Sequence, residues 1–243
     1  MIENEIICGD CLEVLKTMPE NSIDLVITSP PYNKGFYRKD EEMAAGEKDN
    51  KIWRGADIKY QEFNDNLEPE IYEKNQNDIL KELIRVLKPT GSIFYNHKYF
   101  FSEGKIIFPK HILNFDIRQI IIWNRKSIFN MSDRRFFPVY EFIFWLIKSK
   151  DYKFYKEKCL FRKDIWDINP KVDRQHPATF PYELAMNCIY AATDKNDVIL
   201  DPYCGGGTTC LVAKKAGRKY IGIDISKTYC ELTKKRLEKV KIL

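Results

Sequence analysis

Short apolar runs alternate along the chain with amphipathic stretches and turn residues. Near the start, residues 4–27 read as a strand, a helix from Cys11 to Thr17, and a second strand carrying Ile23-Asp24-Leu25-Val26-Ile27. Residues 34–66 break the pattern, being polar, charged and without a clear period. A loop of that length in a compact domain is expected to be functional, either as a lid or as a contact to a partner. From 69 to 88, apolar residues at Ile71, Ile79, Leu80, Leu83, Ile84 and Leu87 follow helical spacing, and Lys88-Pro89-Thr90-Gly91 reads as the closing turn. Ser92 to Asn96 is predicted as a strand, and helix and strand signals alternate again through Phe115–Trp123 and Val139–Lys148. Residues 149–175 are basic and aromatic with weak periodicity. Tyr182 to Ala192 reads as a helix. A strand then runs into a glycine cluster, followed by a helix from Cys210 to Ala216 and a strand over 220–225. The tail, Ser226 to Lys239, reads as an amphipathic helix with Ser226 as its N-cap. Strands alternating with helices predict an α/β fold, a doubly wound and mostly parallel sheet.

Two of the junctions carry chemistry. Thr28-Ser29-Pro30-Pro31-Tyr32 follows directly on an apolar strand. Consecutive prolines stop the strand, remove two donors and leave carbonyls to accept hydrogen bonds. With the Ser29 hydroxyl and the flat ring of Tyr32, this turn suits a planar ring bearing an amino group. Alone, such a string also ends ordinary strands. The second junction is Asp201-Pro202-Tyr203-Cys204-Gly205-Gly206-Gly207-Thr208-Thr209, between a strand and a helix, and the next strand ends in Asp224. Glycines let a backbone approach a ligand, and a carboxylate after the following strand suits ribose hydroxyls. The spacing departs from the dinucleotide fingerprint.

Together the two junctions resemble the β-type, circularly permuted DNA amino-methyltransferases, which methylate cytosine N4 or adenine N6 with S-adenosyl-L-methionine. The resemblance extends to Cys8–Leu15, Val86–Ile93, Asp164–Trp166 and His176–Pro181, with Tyr203 where Phe is usual. It implies a Rossmann-like fold and a catalytic set of Ser29, Pro30, Pro31 and Tyr32. The Ser29 hydroxyl and Pro30 carbonyl would accept the amine hydrogens and Tyr32 would stack on a flipped base. It also implies a cofactor set. Asp201, Tyr203, Gly205, Gly207, Thr208 and Thr209 shape the methionine side, and Asp224 holds the ribose. Asp10 and Cys11 lie near the adenine, and His176, Pro177 and Thr179 flank the methionine. Ser29, where adenine enzymes tend to carry Asp, favours cytosine. Adenine N6 is the alternative, with an inactive DNA-binding module or an RNA or small-molecule methyltransferase further off.

Composition adjusts this picture modestly. The 243 residues carry a net charge of +5 and are 44% hydrophobic, 31% charged and 14% aromatic, which suits one substantial core or a core with a small appendage, and the resemblance implies a single methyltransferase domain over 1–243. Basic residues concentrate with aromatics between 98 and 171, and residues 125–175 are expected to form a target-recognition insert. Candidate DNA contacts are Arg38, Arg54 and Lys59 in the long loop, then Arg134, Arg135, Lys148, Lys150, Lys153, Lys156, Arg162 and Lys163. Double-stranded DNA is the expected partner, with a separately encoded restriction endonuclease and a second copy of the chain as candidate partners. No run of about 18 apolar residues or secretory leader is visible, so a cytoplasmic location without a membrane span is expected. Cys8 and Cys11 form a Cys-x-x-Cys pair, but no second pair accompanies them, and no metal is expected. A Pro-Cys dipeptide, which a cytosine-C5 nucleophile would need, is missing from the chain.

Overall fold

A computed structural model describes residues 3–33, 65–102, 104–126, 134–170 and 180–241. Most of the long polar loop, with Arg38, Arg54 and Lys59, lies outside the described residues, as do His176, Pro177 and Thr179.

The described strands form an eight-stranded sheet and a small hairpin. Chain order gives β1 (Glu5–Cys8), β2 (Ile23–Thr28), β3 (Leu87–His97), β6 (Ile117–Asn124), β7 (Tyr140–Ile147), β8 (Ile165–Asp167), β9 (Val198–Asp201) and β10 (Lys219–Asp224). The hairpin is β4 (Phe100–Ser102) with β5 (Lys105–Ile107). Spatial order is β1-β10-β9-β2-β3-β7-β6-β8. Strands β1, β10, β9, β2 and β3 are mutually parallel, β7 is antiparallel to both neighbours, and β8 is parallel to β6. All six residues of β2 are buried, as expected for a parallel strand covered on both faces.

Helices α1 (Cys11–Thr17) and α2 (Pro69–Val86) cover one face, where Leu15, Leu80 and Leu83 meet Val26, Ile93 and Leu200. Helices α3 (Tyr182–Ala192), α4 (Thr208–Lys215) and α5 (Lys227–Glu238) cover the other, against Leu25, Ile27, Phe94 and Ile199. The alternation of Leu25 and Ile27 with Val26 is the period-two pattern serving two cores at once. From β9 the chain crosses over through α4 to β10. From β2 it crosses over in the other direction, through α2, to β3. The loops after β9 and β2 therefore part and leave a crevice at the carboxyl ends of adjacent strands.

Several expectations need correction. Lys88–Gly91 is not a turn: α2 ends at Val86 and β3 begins at Leu87. The register against β2 moves from Ile23↔Leu87 to Leu25↔Ser92, so the Pro-Thr-Gly stretch is a bulge inside a strand. A Cβ on Gly91 would sit 2.8 Å from the Asp24 carbonyl oxygen, which accounts for the glycine. Phe115–Trp123 and Val139–Lys148 supply strands only, as β6 and β7. Within the expected insert at 125–175, Tyr140–Ile147 and Ile165–Asp167 belong to the eight-stranded sheet as β7 and the edge strand β8, with Trp145 and Trp166 each only 4% exposed.

Two of the proposed phosphate-binding lysines are structural. The Lys148 ammonium donates to the Arg85 and Leu87 carbonyls, at 3.1 and 2.8 Å, and to Asn21 Oδ1 at 2.7 Å, closing the end of α2. Lys153 pairs with Asp197 at 2.7 Å and with Asp194 at 3.4 Å. No described helix is long and apolar enough to cross a membrane. Lys148→Ala leaves the last carbonyls of α2 without their cation and should cost about 1–2 kcal/mol in urea unfolding. Duplex-DNA affinity should be unchanged. Weaker DNA binding at unchanged stability would restore a phosphate contact.

Candidate active site

The crevice between the β9 and β2 loops holds a cavity of about 440 Å³. Asp10, Cys11, Ser29, Pro30, Pro31, Tyr32, Asp201, Tyr203, Gly205, Thr208, Thr209 and Asp224 all line it, so four separate stretches of sequence converge on one space. Gly207 belongs to the same turn without lining the cavity.

The glycine turn is held from beneath by α5. Gly207 adopts φ +79°, and a Cβ there would fall 2.3 Å from Thr233 Cγ2. Thr233 donates its hydroxyl to the Gly205 carbonyl at 2.8 Å, and Arg236 donates to the Gly206 carbonyl at 2.5 Å. From the opposite side, Asp224 Oδ2 accepts the Gly205 N–H at 2.8 Å and Oδ1 accepts the Ser226 N–H at 2.9 Å. One carboxylate thus joins the end of β10 to the turn and to the start of α5, and it lines the cavity as well. Ser226 caps α5 as expected, accepting the Tyr229 N–H at 3.5 Å.

Asp201, only 6% exposed, ends β9 and accepts from the Thr28 hydroxyl at 3.1 Å and the Tyr203 N–H at 3.2 Å. Burial pushes its carboxyl up to about 6, against the lowering effect of those donors and Thr209. Asp10 is exposed and caps α1 through the Glu13 N–H at 3.1 Å. Burial drives the Cys11 thiol up to about 12, so it presents a neutral S–H beside Tyr203. A thiol in that state is a packing group and not a nucleophile.

The proline turn leaves β2 as expected. No described residue donates to the Pro30 carbonyl, whereas the Pro31 carbonyl accepts the Tyr72 hydroxyl at 2.8 Å. Ser29 Oγ lies 2.7 Å from Tyr32 Oη. Tyr32 is itself 6% exposed and packs on His97 with ring centroids 4.7 Å apart and a 40° tilt. Its hydroxyl reaches Asn96 Oδ1 at 2.8 Å and Glu141 Oε2 at 3.2 Å. Arg125 forms an ion pair with the other oxygen of Glu141. Asn33, buried and at φ +58°, binds both backbone groups of Leu67 at 2.7 Å.

Sequence reasoning missed Tyr72 and Gln76 of α2, Asn96 and His97 at the end of β3, and Arg125 and Glu141. A signal existed for some of them. Gln76 is a polar residue, 2% exposed, on the apolar side of α2, and Glu141 interrupts the apolar run of β7.

The expected DNA contacts divide by position. Arg134 and Arg135 precede β7, whose antiparallel direction puts its start at the cavity end of the sheet. Arg134 is exposed, and the Arg135 guanidinium rests 3.9 Å from the Phe101 ring. Arg162 and Lys163 enter β8 at its amino end, opposite the cavity, so the fold does not bring them to the site.

A family model described as DNA methylase matches residues 23–235. The type II methyltransferase M.HinfI of Haemophilus influenzae is 33% identical over 257 aligned residues, covering 98% of this chain and 69% of the relative. M.BglII of Bacillus subtilis is 28% identical, covering 94% and 67%. The fold is similar to that of PvuII DNA methyltransferase, which is cytosine-N4-specific, with a TM-score of 0.76 at 22% identity over 100% of this chain and 89% of that one. It is also similar to a candidate DNA modification methylase of Thermus thermophilus in complex with S-adenosyl-L-methionine, with a TM-score of 0.68 at 26% identity over 97% and 93% of the two chains.

The raised carboxyl of Asp201 has a measurable consequence. Between about pH 4 and 6 the folded chain holds a proton there that the unfolded chain has released, so this group favours folding as the pH falls through that window. Asp201→Asn cannot titrate. Urea unfolding should show wild type gaining about 2–3 kcal/mol relative to the variant between pH 7 and pH 4. A difference that stays flat with pH contradicts the assignment.

Proposed function

Because the chain belongs to the DNA methylase family, we propose that it methylates the N4 amine of a cytosine extruded from duplex DNA, with Ser29 and Pro30 as the groups that hold that amine. It is an S-adenosyl-L-methionine-dependent DNA methyltransferase. The observation that carries the assignment of the site is the adjacency of β2 and β9. Leu25 pairs with Ile199 and Val26 with Leu200, so the proline turn and the glycine turn leave neighbouring strands in the same direction.

The residues present fit the cofactor. Asp224 lines the cavity with its carboxylate already oriented by two backbone N–H groups. A carboxylate offers about four acceptor sites, so ribose hydroxyls can donate to it as well. Ile225 is 42% exposed and lines the same cavity, offering an apolar surface to a purine, with Asp10 and Cys11 nearby. When bound, S-adenosyl-L-methionine supplies a methyl group made electrophilic by its sulfonium sulfur. An exocyclic aromatic amine is a poor nucleophile because its lone pair is delocalised into the ring. Ser29 Oγ and the Pro30 carbonyl accept its two hydrogens, drawing the lone pair out of conjugation and fixing its direction. Ser29 can accept because its own proton has a partner in Tyr32 Oη. The Tyr32 ring lines the cavity with His97 behind it, ready for contact with the base.

Cytosine is preferred because Ser29 stands where an adenine enzyme tends to carry a carboxylate. The type II names of M.HinfI and M.BglII support a further reading, that a separately encoded endonuclease shares the recognition sequence. Arg134 and Arg135 are the described basic residues best situated to reach the phosphates of a duplex docked over the cavity.

Incubation of varied genomic DNA with the protein and cofactor, followed by nucleoside mass spectrometry, should yield N4-methylcytosine. N6-methyladenine would keep the mechanism and change the base, and an unmodified digest would contradict the reading. Ser29→Ala should lower the single-turnover rate about a hundredfold, with cofactor affinity within about twofold of wild type. Asp224→Ala should weaken cofactor binding about tenfold or more, a loss of roughly 1.4 kcal/mol. An unchanged dissociation constant would remove Asp224 from the ribose.

A further inference from the structure

Methylation of a neutral amine forms a C–N bond, breaks the sulfonium C–S bond and leaves one surplus proton on the product nitrogen. Ser29, the residue proposed to touch that nitrogen, is not a base by itself. Behind it runs a continuous chain of hydroxyls to a carboxylate. Ser29 Oγ is 2.7 Å from Tyr32 Oη, and Tyr32 Oη is 3.2 Å from Glu141 Oε2. Asn96 Oδ1 stands 2.8 Å from the same tyrosine oxygen, its orientation fixed by its amide donating to the Phe142 carbonyl at 2.9 Å.

A carboxylate is an uncommon residue at this depth in a sheet. Glu141 lies second in the strand Tyr-Glu-Phe-Ile-Phe-Trp-Leu-Ile, with its side chain 5% exposed. Burying a carboxylate costs several kcal/mol unless it is paired. The pairing comes from Arg125, just beyond the end of β6, whose guanidinium also rests 5.1 Å from the Trp123 ring. A buried carboxylate and a half-buried guanidinium thus meet at the cavity end of two adjoining strands, where an apolar pair would pack at lower cost. Burial holds the Tyr32 hydroxyl well above its usual pKa, so it stays neutral and passes on a proton only as it receives one.

Resting on the reading that Ser29 holds the target amine, we propose that Glu141 is the terminal acceptor of the proton released by methylation, reached through Ser29 and Tyr32. The amine proton passes to Ser29 Oγ, the serine proton to Tyr32 Oη and the tyrosine proton to Glu141 Oε2. Both hydroxyls end neutral and the carboxylate ends protonated. The proton returns to solvent along the same chain once product has left. Glu141 is a positioning residue in this scheme, since it meets the substrate only through Tyr32.

Single-turnover methylation of duplex DNA at saturating cofactor tests the relay, alongside cofactor affinity by calorimetry and the melting temperature. Glu141→Gln and Tyr32→Phe should each slow the reaction about a hundredfold with cofactor affinity unchanged, while each loses a buried partner and melts at a lower temperature. The double variant should be no slower than the worse single one, because both break one chain. Glu141→Asp, which keeps a carboxylate, should be faster than Glu141→Gln. A purely space-filling role reverses that order, since glutamine preserves the length and shape. Either single variant at the wild-type rate, losses that multiply, or glutamine as the milder change overturns the relay. If Glu141→Gln fails to fold, Tyr32→Phe decides, because it leaves the Arg125 pair intact. Wild-type protein that binds cofactor but methylates no duplex DNA overturns the functional reading, and the relay with it.

Discussion

Two register pairs, Leu25 with Ile199 and Val26 with Leu200, hold the site together. They join the halves of the sheet at the point where its strand order reverses. The cofactor-side groups and the proline turn leave from the carboxyl ends of the strands these pairs join, or of parallel strands beside them. The proline turn follows β2, the glycine turn follows β9, the carboxylate of Asp224 ends β10, and Asp10 follows β1. No loop has to reach across the molecule. A cavity at such a junction is a consequence of topology, because the two crossovers leave in opposite directions and open a gap between them.

Each half of the crevice is then rigidified by a different device. On the cofactor side, side chains are bound to backbone. Asp224 holds the turn by its Gly205 N–H, and Thr233 and Arg236 hold it by the Gly205 and Gly206 carbonyls, while the glycines allow close approach. On the substrate side, side chains are bound to side chains. Ser29, Tyr32, Asn96, Glu141 and Arg125 form a polar network, buried at Tyr32, Asn96 and Glu141, in which the orientation of each hydroxyl is set by the next. Buried networks of this kind cost stability unless every member is satisfied, and satisfied ones specify a single arrangement.

Features written into local backbone chemistry were legible in the sequence. Consecutive prolines stop a strand wherever they fall, Gly207 is needed where φ is positive, and Ser226 caps a helix by its own side chain, so both junctions and three helices lay close to their expected bounds. Features set by tertiary contact were not legible. Pro89 and Gly91 carry the signature of a turn, and only the register against β2 makes them a bulge. The aromatic runs at 115–123 and 139–148 fit strand and helix alike until β7 pairs antiparallel with β3. Lys148 looks like a surface cation in one dimension and becomes a helix-terminating donor once α2 is packed. The same limit hid Glu141, whose partners Tyr32 and Arg125 are 109 and 16 residues away in sequence.

The central claim is that cofactor and target amine meet at the β9/β2 junction. Hydrogen–deuterium exchange with and without S-adenosyl-L-methionine reads that junction directly, amide by amide. Protection on cofactor binding should concentrate at 9–12, 203–209 and 224–226, with the proline turn at 29–32 as the next segment affected. Protection confined to other parts of the sheet, with those segments unchanged, would contradict the account.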